Sequence, residues 1–251
     1  FRITPPAGIS VMCDPWRNFP TRRWDWYFRD FPRVPVDIGV STHAHFDHDA
    51  LHRLDAHVLI DRLIGTYTFG DVTIKGIADK HETDSSSAIY VFKKIILDFD
   101  GIDITPPNNP RSWDHCLIVI ETGGLRIVDW GDNRHNPPDE VWDMLGKIDI
   151  ALLPIDSSRH VMGWHQVQHI IDRLKPHVVV PHHYYIYDVV QRMSTLQTAD
   201  AWVEEQEGAV WLDGPTKTYT PESVAKLDRV VHYFGPHVAF DTEVWRTAEE
   251  E

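Results

Sequence analysis

With 251 residues, 42% of them hydrophobic and 25% charged, the chain has the composition of a globular protein and the length for one large domain. A formal charge of −14, from 38 acidic against 24 basic residues, repels polyanions and argues against a nucleic-acid partner. No run approaches the ~18 apolar residues that a membrane span needs.

Cys13 and Cys116 lie in apolar, strand-like runs and read as small buried hydrophobes, which suits a reducing cytoplasm. The first residue is Phe1 and not methionine, so an export signal upstream of it stays open.

Residues 1–14 read as two short strands around Pro5-Pro6-Ala7-Gly8, with Ile9, Val11 and Cys13 alternating against Ser10 and Met12, and Asp14-Pro15 ending the second. Residues 16–35 are rich in tryptophan, tyrosine and arginine. That composition fits a packed lid or a contact between copies of the chain, hence a homo-oligomer, and less well a wall of guanidinium groups facing an anionic substrate.

The apolar run Val36–Val40 then delivers Ser41-Thr42-His43-Ala44-His45-Phe46-Asp47-His48-Asp49. Three imidazoles and two carboxylates in nine residues at a strand end point to a metal site, because imidazole and carboxylate together suit Zn²⁺, Mn²⁺ and Fe. His43 and His45 can point one way and Asp47 and His48 another, so this one turn could serve two ions.

The stretch resembles the signature of the metallo-β-lactamase superfamily, which implies an α/β fold, a four-layer αββα sandwich with the metal site at the sheet edges. Asp14-Pro15 after the second strand is similar to the opening of its lactonase-like branch, the one that includes ascorbate-6-phosphate lactonase.

A short helix is expected at Ala50–Leu54 and a buried strand at His57–Ile60, with His52 and His57 as surface or packing residues. A strand from Asp71 to Ala78 runs out into Asp79-Lys80-His81-Glu82. A strand at Ala88–Phe92 and an exposed proline-rich loop at Thr105–Pro110 follow. The clearest hairpin spans 115–132, with its turn at Gly123-Gly124 and its end at Asp129-Trp130-Gly131-Asp132.

The Gly-Asp ending resembles the superfamily's bridging aspartate, which makes Asp132 the residue shared between two metals and leaves Asp129 structural. A helix from Pro138 to Leu145, a buried strand at Ile148–Leu153, a helix at Trp164–Leu174 and a strand at Val178–Val180 complete an α/β alternation. The ending Pro181-His182-His183-Tyr184 resembles the lactonase-like branch's terminal ligand, with His183 as the ligand. Beyond residue 185 the resemblance fades. The remaining 66 residues suggest a C-terminal extension of the core, 186–251, with a strand pair around Gly214-Pro215, a helix from Glu222 to Phe234 and an acidic tail.

The ligand set implied by the resemblance is His43, His45, Asp47, His48, His81, Asp132 and His183. His115 competes with His81 for one place, and the lactonase-like register favours His81, with His115 as an alternative ligand or a neighbour that orients one. Two divalent ions, Zn²⁺ first with Mn²⁺ or Fe as alternatives, lower the pKa of bound water toward ~7. The implied activity is hydrolysis of a small-molecule ester, lactone, amide or phosphoester. Asp47 and Asp132 are its catalytic carboxylates, and His160, Tyr184 and Tyr185 are candidate substrate contacts. A nuclease-like phosphodiesterase and a non-catalytic metal-binding scaffold are the competing readings; the charge opposes the first and the complete ligand set the second.

Overall fold

The computed structural model describes residues 1–18, 26–82, 113–156, 161–191 and 196–240. The expected strand at 88–92, the proline-rich loop at 105–110, His160 and the acidic tail lie outside them.

Two sheets pack face to face. The smaller consists of β1 (Arg2–Ile3), β2 (Val11–Cys13), β3 (Val34–Ser41) and β4 (Leu54–Asp61) in that order, with β2, β3 and β4 parallel. The larger contains β5 (Gly65–Phe69), β6 (Val72–Asp79), β7 (His115–Thr122), β8 (Leu125–Asp129), β9 (Ile150–Pro154), β10 (Val178–His182), β11 (Val210–Trp211) and β12 (Val230–Tyr233). Its spatial order is β11-β12-β10-β9-β8-β7-β6-β5, antiparallel from β5 to β8 and parallel from β8 onward.

Side-chain alternation explains the packing. On β7, Cys116, Ile118 and Ile120 turn inward against Val11, Cys13, Ile38 and Val40 of the smaller sheet. Leu117 and Val119 turn outward, into the core that also holds residues of α1 (Asp139–Leu145) and α2 (Trp164–Leu174). Each such fully buried aliphatic chain contributes about 1.5–3 kcal/mol, so inter-sheet packing sets the relative position of the strand ends. Both faces of the larger sheet are therefore apolar, as a sheet covered on both sides requires.

Helix α2 forms because Val167, Ile170, Ile171 and Leu174 recur at helical spacing. It begins where Gly163 N donates to Gln166 Oε1 at 2.7 Å and stops at Lys175, whose φ is 49°. Helix α1 begins after Pro138 and ends at Gly146, where φ is +61°. Among the described residues the outer face of the smaller sheet carries no long helix. Met12, Val36, Leu51 and Leu54 are covered there by Trp16 and Phe31.

Three expectations are corrected. The short helix expected at Ala50–Leu54 is a single 3-10 turn, Leu51–Arg53, because Leu54 already pairs with Val34 in β4. The strand pair around Gly214-Pro215 is absent; Val210–Trp211 pairs in parallel with β12. The helix from Glu222 to Phe234 stops at Val224, giving the short α4 (Pro221–Val224) that follows α3 (Asp200–Glu204). There the β-branched and aromatic run Val230-Val231-His232-Tyr233 pairs with β10 instead, after a turn in which Arg229 adopts φ 54°.

The C-terminal segment thereby joins the larger sheet, and Tyr219, Val224, Leu227 and Phe234 cover inward residues of β8, β9 and β10.

Candidate metal centre

Strand direction gathers the site. β6, β8, β9 and β10 end, and β7 begins, at one edge of the larger sheet; β2 and β3 end beside it. His43 and His115 pair across the two sheets, Cys116 N donates to Thr42 O at 3.0 Å, and His81 pairs with Asn133. Residues far apart in the chain thus converge as strand-end loops, the usual place for ligands in open α/β sheets.

The seven residues of the sequence reading fall into two groups that share one member. His43, His45, His81 and Asp132 offer donor atoms within 4.8 Å of one another, and so do Asp47, His48, Asp132 and His183. Asp132 Oδ2 lies 3.4 Å from His81 Nε2, 3.6 Å from His183 Nε2 and 3.8 Å from His43 Nε2, while Oδ1 lies 3.5 Å from His48 Nε2. Asp47 Oδ2 lies 3.4 Å from His183 Nε2 and 3.7 Å from His48 Nε2.

His115 stands one step back. Its Nε2 accepts the backbone N–H of Asp132 at 3.0 Å, so that nitrogen is committed to holding the Asp132 loop. His81, by contrast, uses Nδ1 on the carbonyl of Glu82 at 2.8 Å and turns Nε2 to Asp132.

Tyr184 donates its hydroxyl to Gly235 O at 2.7 Å and packs on Tyr233, and Tyr185 donates to Val190 O at 3.5 Å. Arg17 is bound at both ends of its guanidinium to Asp49, at 2.7 and 2.8 Å. Trp16 stacks on Tyr27 and meets Phe31 edge-on, so these three rings pack on one another. Asp129 is buried at the end of β8, where burial and then the nearby Asp14 push its carboxyl up to about 7.

Whether this set suits a metal is decided by its unpaired atoms. His43 Nε2, His48 Nε2 and Asp132 Oδ1 are buried, face the cluster and have no hydrogen-bond partner among the described residues. Buried polar atoms are nearly always satisfied, so three such atoms converging within one cluster fit a cation as their common partner. Imidazole and carboxylate in this proportion suit a divalent first-row ion.

The electrostatics agree. Burial works against the charged form of Asp132, yet His183 and His48 hold its carboxyl well below the usual range. Burial likewise opposes the imidazolium of His183, but Asp132 and Asp47 raise it to about 9.

A proton on His183 Nε2 competes with any ion for that lone pair, so an ion bound there would displace it and bind more tightly as pH rises toward about 9. Zinc titrations of the metal-free protein at pH 6, 7 and 8 should show affinity rising with pH, by roughly tenfold per unit for each proton displaced. Affinity flat across that range would contradict this account.

Comparison with known proteins follows the same line. Residues 1–183 match the family model for the beta-lactamase superfamily domain. The chain belongs to that superfamily. A UPF0173 metal-dependent hydrolase of Methanosarcina mazei is 35% identical over 166 residues, covering 62% of this chain and 69% of that protein. A UPF0173 protein of Pyrococcus abyssi is 25% identical over 181 residues, with 72% and 77% covered.

Among solved structures, a candidate Zn-dependent hydrolase of the metallo-beta-lactamase superfamily from Thermotoga maritima superposes with TM-score 0.62 at 20% identity, over 93% of this chain and 92% of that one. Igni18, a metallo hydrolase from Ignicoccus hospitalis, gives 0.51 at 17% identity over 92% and 89%. These two establish likeness of fold. Superfamily membership accounts for both the paired sheets and the strand-end loops. Among the described residues no helix is long and apolar enough to cross a membrane.

The sequence reading passed over three residues of this centre. Thr42 and Asp156 are fully buried, and Asp156 Oδ2 lies 3.9 Å from His183 Nδ1. Gly131, with φ +51°, lies where an added Cβ would come 2.6 Å from Thr42 Oγ1 and 2.7 Å from His115 Nε2. A glycine just before the candidate aspartate was the one available signal for the last of these.

Proposed function

We propose that this protein is a dinuclear metal-dependent hydrolase acting on a small-molecule ester, lactone, amide or phosphoester. The observation that carries the reading is the double use of Asp132, the one residue common to both donor groups. In this reading His43, His45 and His81 hold one ion, Asp47, His48 and His183 hold the other, and Asp132 holds both. His81, not His115, completes the first set, because His115 Nε2 is occupied by Asp132 N–H.

Two bound ions would supply a water acidic enough to attack at neutral pH and a Lewis acid for charge developing on the substrate oxygen. Zn²⁺ is the first candidate for such a set, with Mn²⁺ or Fe as alternatives. The chain's own part is to fix the donors and manage protons. Asp47, kept ionised chiefly by His48 and His183 against the effect of its burial, receives or relays a proton at Oδ2. The superfamily hosts many chemistries on one scaffold, so the choice among substrate classes rests on assay.

The test is metal content per chain after purification without chelators, for the parent, His81→Ala and His115→Ala, followed by a screen of lactones and phosphoesters. The parent should hold about two ions, His81→Ala should lose metal and His115→Ala should keep more of it. A parent that binds no metal even with added Zn²⁺ or Mn²⁺ would sink the reading.

A further inference from the structure

Two stretches far apart in the chain meet beside the metal loop. Tyr27 pairs with Val190, Phe28 N donates to Val189 O at 3.1 Å and Gln191 N donates to Trp26 O at 2.8 Å. Asn18 ties the first stretch down from within: its Oδ1 accepts Trp26 N–H at 3.0 Å and Tyr27 N–H at 2.9 Å, and its Nδ2 donates to Tyr27 O at 3.0 Å. Both backbone polar groups of Tyr27 are thus held by one side chain.

The ring of Tyr27 is held as well. It stacks on Trp16, with centroids 5.3 Å apart, and meets Phe46 edge-on at 6.2 Å. Phe46 lies between His45 and Asp47, packs on Trp26 at 5.3 Å and accepts Arg17 N–H on its carbonyl at 2.8 Å. Tyr27 is therefore seated against the loop that carries His43, His45, Asp47 and His48.

Its hydroxyl is not spent on the protein. A tyrosine packed this closely ordinarily gives its O–H to an acceptor. Tyr184 and Tyr185 do so, donating to Gly235 O and Val190 O, whereas the Tyr27 hydroxyl has no hydrogen-bond partner among the described residues. Burial first, and then the charges of Asp47 and Asp132, hold its pKa well above the usual phenol range, so at neutral pH it carries its proton. In the hydrolytic reading a Lewis acid serves the carbonyl or phosphoryl oxygen and Asp47 serves the attacking water. The oxygen that departs is the one still to be served.

We propose that Tyr27 is a catalytic residue whose hydroxyl protonates the leaving oxygen of the substrate. As the bond to that oxygen breaks, its electron pair stays on the oxygen, which takes the phenol proton; the proton given up by the attacking water restores the phenol. The proposal rests on the hydrolase reading above and narrows its substrates to those whose leaving oxygen needs a proton, alkyl esters and lactones ahead of activated aryl esters. A positioned acid of this kind typically contributes 10²–10⁴-fold.

The test is Tyr27→Phe, which keeps the ring contacts and removes only the hydroxyl. Metal content, thermal melting and turnover are measured on the metal-loaded parent and variant. The probes are pairs that differ in the leaving oxygen: 4-nitrophenyl acetate with ethyl acetate, dihydrocoumarin with δ-valerolactone, and 4-nitrophenyl phosphate with glycerol phosphate. The variant should keep the parent's metal content and melting temperature. It should lose roughly 10²-fold or more in kcat on the alkyl member of a pair, which departs as a strongly basic alkoxide, and only a few-fold on the aryl member.

An equal loss on both members of a pair would overturn the proposal, because it would place the hydroxyl elsewhere than at the leaving oxygen. So would a variant that loses metal or melts lower and is slowed on both alike, the mark of a merely structural role. A parent that hydrolyses none of the probes overturns the hydrolase reading and this proposal together. A parent that hydrolyses one pair, with Tyr27→Phe as fast on both members, overturns the proposal alone.

Discussion

Asp132→Ala should empty both metal positions at once and lower hydrolytic activity by at least about 10³-fold, the equivalent of several kcal/mol of lost charge stabilisation. The expectation follows from position. Asp132 is 1% exposed and lies within 3.4–3.8 Å of an Nε2 atom of His43, His48, His81 and His183. Each other candidate ligand serves one group, so substituting it should leave one ion behind.

Asp129→Asn is the matched comparison. It is also buried, three residues earlier at the end of β8, but its carboxyl is already pushed up to about 7 by burial and Asp14. A neutral amide there should be tolerated and the metal content kept. Metal analysis by mass spectrometry and turnover of any substrate found by screening check both variants. Retention of one full ion by Asp132→Ala would show that the two groups do not share it.

Gly131→Ala is expected to be the most damaging single methyl near the site. The new Cβ would stand 2.6 Å from Thr42 Oγ1 and 2.7 Å from His115 Nε2, at φ +51°. Neither neighbour can move freely: both are fully buried, Thr42 is bonded to Asp14, and His115 holds the Asp132 N–H. The left-handed conformation costs an alanine roughly 1–2 kcal/mol and overpacking adds about 1–3 kcal/mol, for about 3 kcal/mol in all. In a chain of this size that lowers the melting temperature by roughly 6–12 °C.

Because the displaced groups carry Asp132 and His43, metal affinity should fall with it. Gly208→Ala provides the contrast, since Gly208 has φ +72° but nothing within 4 Å of the added atom. It should show only the conformational part, about 1–2 kcal/mol, and unchanged metal binding. Equal losses in the two variants would mean that the contacts around Gly131 do not matter.

The sequence by itself determined which residues could hold a metal and roughly where each strand delivers them. His43, His45, Asp47 and His48 are legible because four donors within six positions at the end of an apolar run have no economical bland reading. Asp132 and His183 are legible because a strand followed by Gly-Asp or by Pro-His-His stops where a ligand is useful. Helices α1 and α2 were legible from their end signals and their 3.6-residue period. Local chemistry and periodicity operate over a few residues, so a linear reading finds them.

What the linear reading could not reach was decided by neighbours distant in the chain. The helix expected at 222–234 gave way to β12 because Val230 and Val231 found Val178 and Val179 to pair with, some fifty residues upstream. The ambiguity between His81 and His115 has the same origin. Both sit at the same sheet edge, and they differ only in what their ring nitrogens meet, Asp132 Oδ2 for one and Asp132 N–H for the other. In the sequence Asp14 marks a strand end and Thr42 is one residue of the metal stretch. Their hydrogen bonds to His48 and His43 exist only once β2 and β3 lie side by side. Donor identity is a property of the residue, whereas which lone pair is free depends on packing between strands.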